Sequence, residues 1–364
     1  MSQATKERFL VSPFLVFFLI TGTQVGIGML SFQRLVMKEA GHDAWIAVIL
    51  TGIIAHLLIW VMYKLFAHSP NAEDIVSIHQ RYFGKWAGFV FSFALLVYFS
   101  LLAFTVLQTY IEIIKIWMFP LMGAWQFSLI FLVLTYYAVL GGFRVVTGLC
   151  FWSVVIPLLT IFPMLFFPLE YAHYRNLLPI FDHSIGEIFS GAKAMSLQYL
   201  GMEMLLVYYP FIKQPEKSLK WAQWGNAFTT LLYLSVMLIA ITFYNEEQIQ
   251  HITWPTLTLA KIPEVPFIER MEYIIISVYV LVVFPIICIA VWSASRIAKK
   301  LFSIKQRRFV PMVLLLLFIG TLWFEEKEQI ERLNKWISTI GLYIVVFYIP
   351  ALYIYVTAAN KIKK

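Results

Sequence analysis

Charge is scarce in this chain. Only 13% of its 364 residues are Asp, Glu, Lys or Arg, about half the share found in a soluble domain. Cysteine is scarcer still. Cys150 and Cys288 fit no disulfide or metal spacing and read as small packing residues. The seven histidines form no His-x-x-His pattern and no cluster with cysteine. Phosphate loop, nucleophile elbow and dinucleotide fingerprint are all missing. These absences argue against an enzyme, and neither a cofactor nor a metal is expected. The roughly ten-residue alternating strands of a membrane β-barrel are missing as well.

Apolar residues fill the space: 61% of the chain is hydrophobic. A membrane helix needs about 20 consecutive apolar residues. Ten such runs lie near 10–36, 44–66, 84–118, 125–140, 145–168, 188–212, 222–244, 271–298, 309–324 and 336–358. Lys6 and Arg8 precede the first run, but no small-x-small cleavage site follows it, so it reads as a span and not as a cleaved leader. The fold class is an all-α membrane protein with ten transmembrane helices, a single integral membrane domain over 1–364. Lysine and arginine gather on the cytoplasmic side of membrane proteins. With the N-terminus inside, 18 of the 28 basic residues fall on inner segments, beside only four acids. The +8 formal charge is therefore a topology signal with both termini cytoplasmic, and no nucleic-acid partner is expected. Between spans two and three, NAEDIVSIHQRYFG has helical spacing and is expected along the inner surface. LGGFR makes a tight inner turn. The outer connection 245–270, with Pro255, Pro263 and Pro266, is long enough to fold over a vestibule.

Polar residues interrupt two of the runs. The first contains ITGTQVGIGML (20–30) and the sixth MSLQYLGMEMLL (195–206). Irregular backbone inside a bilayer survives only where it is buried in protein or lines a cavity. Small residues also serve close helix packing, so either segment alone is ambiguous. Gly26 and Gly201 lie 175 residues apart, near half the chain length. Paired interruptions in two halves are the sequence sign of a midplane site between repeats. The expectation is a five-plus-five inverted repeat, about 10–168 and 188–358, with helices one and six broken. Free amides at a helix start attract a carboxylate, and carbonyls at a helix end attract an ammonium. The pair suits a zwitterion such as an α-amino acid. Gly26 and Gly28 would expose backbone to it, and Thr23 and Gln24 would add side-chain hydrogen bonds. Gln198, Leu200, Gly201 and Glu203 mark the second break. Glu203, the one carboxylate placed deep in a span, has three readings: a structural cap for the break, a ligand contact or a proton site. His56 reads as a packed histidine. Gln108 and Glu112 fall toward the outer end of span three.

The pairing of GTQVGIGML with LQYLGMEMLLVYYPFI, Pro210-Phe211 included, resembles the B subunits of spore germinant receptors, in the amino acid–polyamine–organocation superfamily. Length and span count agree over essentially the whole chain. The resemblance implies a LeuT-type fold, in which Tyr98 on span three and Phe284 on span eight flank the site. It implies a membrane subunit that binds a small germinant, an amino acid foremost, in the inner membrane of the spore. It also implies two partners, a receptor A subunit and a lipoprotein C subunit. The competing reading is a proton-coupled amino acid transporter, although spans one and five carry neither a mid-span acid nor a mid-span cation.

Overall fold

The computed structural model describes residues 7–69, 74–262, 270–324 and 326–362. Lys6, part of NAEDI, Pro263 and Pro266, which figured in the sequence reading, lie outside them, as do Glu325 and the final two lysines. In chain order the helices are α1 (Leu15–Gln24), α2 (Phe32–Ala40), α3 (Ala44–Ala67), α4 (Ile75–Trp117), α5 (Ala124–Leu140), α6 (Phe143–Met164), α7 (Ile185–Met195) and α8 (Leu205–Tyr208). They continue with α9 (Leu219–Phe243), α10 (Glu246–Gln250), α11 (Pro255–Leu259), α12 (Met271–Phe302), α13 (Gln306–Trp323), α14 (Lys327–Leu342) and α15 (Ile349–Ile362). A π-helical turn, Tyr343–Tyr348, joins the last two. Among the described residues there is no strand, only one isolated bridge between Val11 and Ile212.

Among the described residues, seven helical stretches are long and apolar enough to cross a membrane, the first of which runs from α2 through α3. The remaining crossings are α1, which the first break separates from α2, the shorter apolar α5, and the interrupted pair α7–α8. Local chemistry sets several boundaries. Asp74 caps α4 by accepting from the Ser77 amide at 3.0 Å. Ser184 and Glu187 form a capping box at the start of α7, which satisfies two amides that a helix start leaves free. The tight turn between α5 and α6 uses Gly142 at φ +87°, a conformation that costs glycine little.

Helices in corresponding places of the two halves pack on one another: α3 on α9, α4 on α12 and α5 on α13. The centre is α12, buried almost without interruption from Val282 to Ala298, as an all-round apolar helix should be. Large apolar side chains left exposed, such as Ile53 and Leu57 on α3 or Leu315 and Leu316 on α13, face outward, as contact with lipid requires. Cys150 and Cys288 are free and buried. The His56 ring pairs with Gln223, whose Nε2 donates to the His56 carbonyl at 3.1 Å, so it is a packed histidine.

The segment before span three differs from a simple surface helix. Ile75 to Phe83 is helical, breaks at Gly84 (φ +79°) and then runs on into the span. His79 is fully buried in it and bonds Ser92 Oγ at 2.8 Å and the Tyr348 hydroxyl. This stretch is folded into the body because its own histidine and aromatics find partners in α4 and the π-helical turn.

Both chain ends lie on one face. Asn360 donates to the His68 carbonyl at 2.6 Å, Phe66 stacks on Tyr209, and Val11 exchanges backbone hydrogen bonds with Phe211 and Lys213 at 2.8 and 2.9 Å. Arg144 donates to the carbonyls of Leu10 and Glu7, which closes this end with the chain's own N-terminal segment. The turn between α12 and α13, at Ser303, and the start of α14, at Glu326, are separated by the 18-residue α13, roughly 27 Å at 1.5 Å per residue. Single cysteines at Ser303 and Glu326 are therefore expected to label from opposite sides of the membrane with an impermeant thiol reagent. Labelling from the same side would refute the ten-span arrangement.

On the opposite face, Asp43 in the turn between α2 and α3 is fully buried. Its carboxylate accepts from the amides of Phe181 at 2.9 Å and His183 at 3.1 Å. Burial alone would raise this carboxyl. The hydrogen bonds from His183 and Phe181 outweigh that and hold it below the usual carboxylate value. A depressed carboxyl contributes stability that is present above its unfolded value and lost as pH falls through its folded one. Purified protein is expected to lose thermal stability below about pH 4, with a smaller acid loss in Asp43→Asn. Identical acid limbs in the two proteins would show that Asp43 carries no such linkage.

Candidate functional site

Both interrupted helices unwind where the glycines stand. After α1, Val25 and Gly26 are extended, a single 3-10 turn follows (Ile27–Leu30), and α2 restarts at Phe32. After α7, the 3-10 turn Ser196–Tyr199 leads to an extended Leu200. Gly201 then takes φ +108°, and the turn Met202–Met204 leads into α8.

Unwinding leaves carbonyls without amide partners. Three carbonyls in the first break receive hydroxyls from distant helices, Gly26 O in addition to the Met29 amide at 3.1 Å. Tyr233 donates to Gln24 O at 2.9 Å, Tyr279 to Gly26 O at 2.7 Å and Thr256 to Met29 O at 2.9 Å. Thr256 in turn accepts from Gln33 at 2.6 Å. The connection after α9 therefore folds back onto the first helix, through α11.

The two breaks touch. A Cβ on Gly201 would lie 2.8 Å from the Thr23 carbonyl oxygen, and one on Gly28 would lie 1.6 Å from Gln198 Oε1. Beside this crossing stands Glu203, fully buried. Its Oε2 accepts from the Gly201 amide at 2.7 Å and its Oε1 from the Tyr98 hydroxyl at 2.7 Å. One carboxyl thus spans its own break and fastens it to α4. Leu200 and the Tyr98 hydroxyl both abut Gly341 of α14, where a Cβ would meet them at 2.3 and 2.8 Å.

Gln24 donates to Asn226 Oδ1 at 2.9 Å, and Asn226 donates to Gly52 O at 3.0 Å. Gln24 Oε1 and Gln198 Nε2 are buried with no partner among the described residues. One is an acceptor and the other a donor, and each stands at a break. Residues 25–28 are only half-buried, between fully buried neighbours. The Thr23 hydroxyl turns back to its own helix, donating to Leu19 O at 2.8 Å.

The structure thus brings Thr23, Gln24, Gly26, Gly28, Tyr98, Gln198, Leu200, Gly201 and Glu203 together. It sets Phe284 apart, with its ring packed against Phe131 of α5 at 6.4 Å between centroids. From α12 the residues at the first break are Tyr279 and Ile286, the latter 3.0 Å from where a Gly26 Cβ would stand. Phe284 precedes Ile286 by two residues, roughly 200° around a helix, and so points elsewhere. Tyr233, Asn226, Thr256, Tyr279 and Ile286 carried no sequence signal beyond polarity or size. Gln108 donates to Phe324 O at 3.2 Å, away from the breaks. A larger cleft of about 800 Å³ lies on the face opposite the termini, lined by Arg34, Lys38, Glu39, Glu187, Glu246 and others. It contains none of the residues of either break.

Ten spans with paired, touching breaks in helices one and six define the LeuT-type fold. A Na+-coupled sialic acid symporter in its substrate-bound outward-open state superposes with a TM-score of 0.67 at 13% identity, covering 94% of this chain and 80% of that one. MhsT in complex with L-phenylalanine superposes with a TM-score of 0.61 at 13% identity, covering 96% and 98%. At these identities the likeness is one of fold. Residues 10–330 match the family described as spore germination protein, and the chain belongs to that family. It is 41% identical over 357 residues to spore germination protein GerQB of Bacillus cereus, covering 98% of each chain. It is 21% identical over 346 residues to spore germination protein A2 of Bacillus subtilis (strain 168), covering 94% of each. The chain is a permease-type germination protein embedded in the membrane.

Proposed function

We propose that the protein is the membrane subunit of a nutrient germinant receptor and that it binds a small germinant, an amino acid, where the two broken helices cross. The observation that carries this reading is the pair of unpartnered amide atoms, Gln24 Oε1 and Gln198 Nε2, beside the half-buried residues 25–28. A buried polar atom left unpaired costs about 1–3 kcal/mol. A ligand with a donor and an acceptor relieves both, and an ammonium with a carboxylate supplies them. Gln198 lies over Gly28 and donates to the carboxylate, while Gln24 accepts from the ammonium. On this reading the face holding both termini is cytoplasmic, the bilayer is the inner membrane of the spore, and a receptor A subunit and a lipoprotein C subunit are the partners. The transporter alternative is less well supported, because α1 carries no charged residue and α6 has only Arg144, in its first turn. Neither helix places an acid or a cation at mid-membrane for proton coupling.

The test is a germinant dose–response of spores carrying variants, read beside an immunoblot of their membranes. Gly26→Ala, whose methyl meets only the end of the Ile286 side chain, is expected to raise the half-maximal germinant concentration severalfold. Gly28→Leu displaces the Gln198 amide, which a Cβ there would meet at 1.6 Å, and is expected to abolish the response at near-normal protein level. An unchanged half-maximal concentration with reduced protein level would assign these glycines to packing alone. Uptake of radiolabelled amino acid by the purified protein in vesicles would favour the transporter.

A further inference from the structure

We propose that an apolar pocket behind the first break is a binding site for the acyl chain of a bilayer lipid. The pocket, about 50 Å³, is enclosed by α1, α6, α9, α11 and α12, with Val25, Met29, Pro157, Phe162, Phe228 and Val282 in its wall. No charged residue lines it. Four hydroxyl side chains do, and each has already committed its proton within the protein. Thr21 donates to Gly225 O at 3.1 Å and Ser153 to Cys150 O at 2.8 Å. Thr256 donates to Met29 O and Tyr279 to Gly26 O. The wall therefore offers no free hydroxyl donor. A polar ligand entering it would give up hydrogen bonds to water with little in return, a cost of several kcal/mol in a site that cannot replace them, whereas a hydrocarbon loses nothing.

The pocket also opens toward lipid. Pro157, Leu158, Phe162 and Phe228 are only half-buried, and their neighbours Leu159 and Leu231 are 72% and 60% exposed on the apolar side surface. An apolar cavity of about 150 Å³ accepts a benzene ring, so one a third that size takes the end of a chain and not a ring. Its floor is the back of the broken segment. Tyr279 and Thr256, the hydroxyls that donate to two carbonyls of the first break, are both in its wall. A chain end seated there presses the two hydroxyls onto the first break and ties its geometry to the surrounding lipid.

The experiment uses the full chain in phosphatidylglycerol and phosphatidylethanolamine vesicles that contain phosphatidylglycerol with a diazirine near the end of one acyl chain. After illumination, adducts are mapped by mass spectrometry. The expected result is labelling of Met29 and Val282, which are 8% and 1% exposed and out of reach of a chain that only wets the surface. Leu158→Phe, which fills the mouth, is expected to reduce labelling at these two positions at least tenfold while leaving Leu231 labelled. Adducts confined to Leu159, Leu231 and similar exposed positions would overturn the proposal, as would floor labelling indifferent to the filled mouth. No germinant enters this measurement, so its outcome is independent of the receptor reading.

Discussion

Gly201→Ala is expected to all but remove the protein from the membrane fraction. Two penalties combine at this position. Its φ of +108° is one that residues with a Cβ rarely adopt, and such strain costs of order 1–3 kcal/mol. The added Cβ would also stand 2.8 Å from the Thr23 carbonyl oxygen and 2.9 Å from Thr23 Cβ. Relief requires moving one broken helix away from the other, since the nearest obstacle is backbone and not the tip of a flexible side chain. Overpacking of this kind adds roughly another 1–3 kcal/mol, and the sum is a large part of the stability of a typical domain. Gly26→Ala is the control, because Gly26 has an ordinary extended φ of −129° and faces a single side-chain methyl at 3.0 Å. Quantitative immunoblots of membranes should show Gly201→Ala severely depleted and Gly26→Ala close to wild type. Equal accumulation of the two would mean that the contact between the breaks is not what Gly201 serves.

Glu203→Leu is expected to be nearly as damaging, and Glu203→Gln far less so. Leucine leaves the Gly201 amide and the Tyr98 hydroxyl without partners in a fully buried place, at about 1–3 kcal/mol each. Glutamine keeps both contacts: its carbonyl oxygen accepts from Gly201, and its amide donates to the Tyr98 oxygen, an arrangement open to a hydroxyl that both gives and takes hydrogen bonds. Thermal unfolding in detergent should therefore place Gln near wild type and Leu well below it. If Gln fails as badly as Leu, the charge itself is needed for the fold. If Gln folds normally but spores carrying it no longer respond to germinant, the ionised or titrating carboxyl has a role in signalling as well as in fastening the break.

Of the three readings of Glu203 that its position in the chain left open, its surroundings favour the structural cap, since both carboxyl oxygens are engaged by protein groups. Depth in the span was visible from neighbouring residues, because hydropathy accumulates along the chain. Tyr98, its partner, is 105 residues away. Only the packing of α4 against the second break brings the two together.

Spans, their number and the places where two of them fail as helices were determined by the sequence itself, since each depends on residues adjacent along the chain: apolar runs set the first two, and glycine with polar residues set the third. The membership of the site was partly so. Nine residues singled out in the two motifs and on span three meet at the crossing. Phe284 does not, because its face depends on how α12 is rotated against its neighbours, and hydropathy carries no phase on a helix that is buried all round. Tertiary structure alone decided which groups hold the unwound carbonyls. Tyr233, Tyr279 and Thr256 reach the first break across more than 200 residues of chain. Their role exists only where the fold places a hydroxyl within hydrogen-bond distance of a carbonyl that its own helix has released.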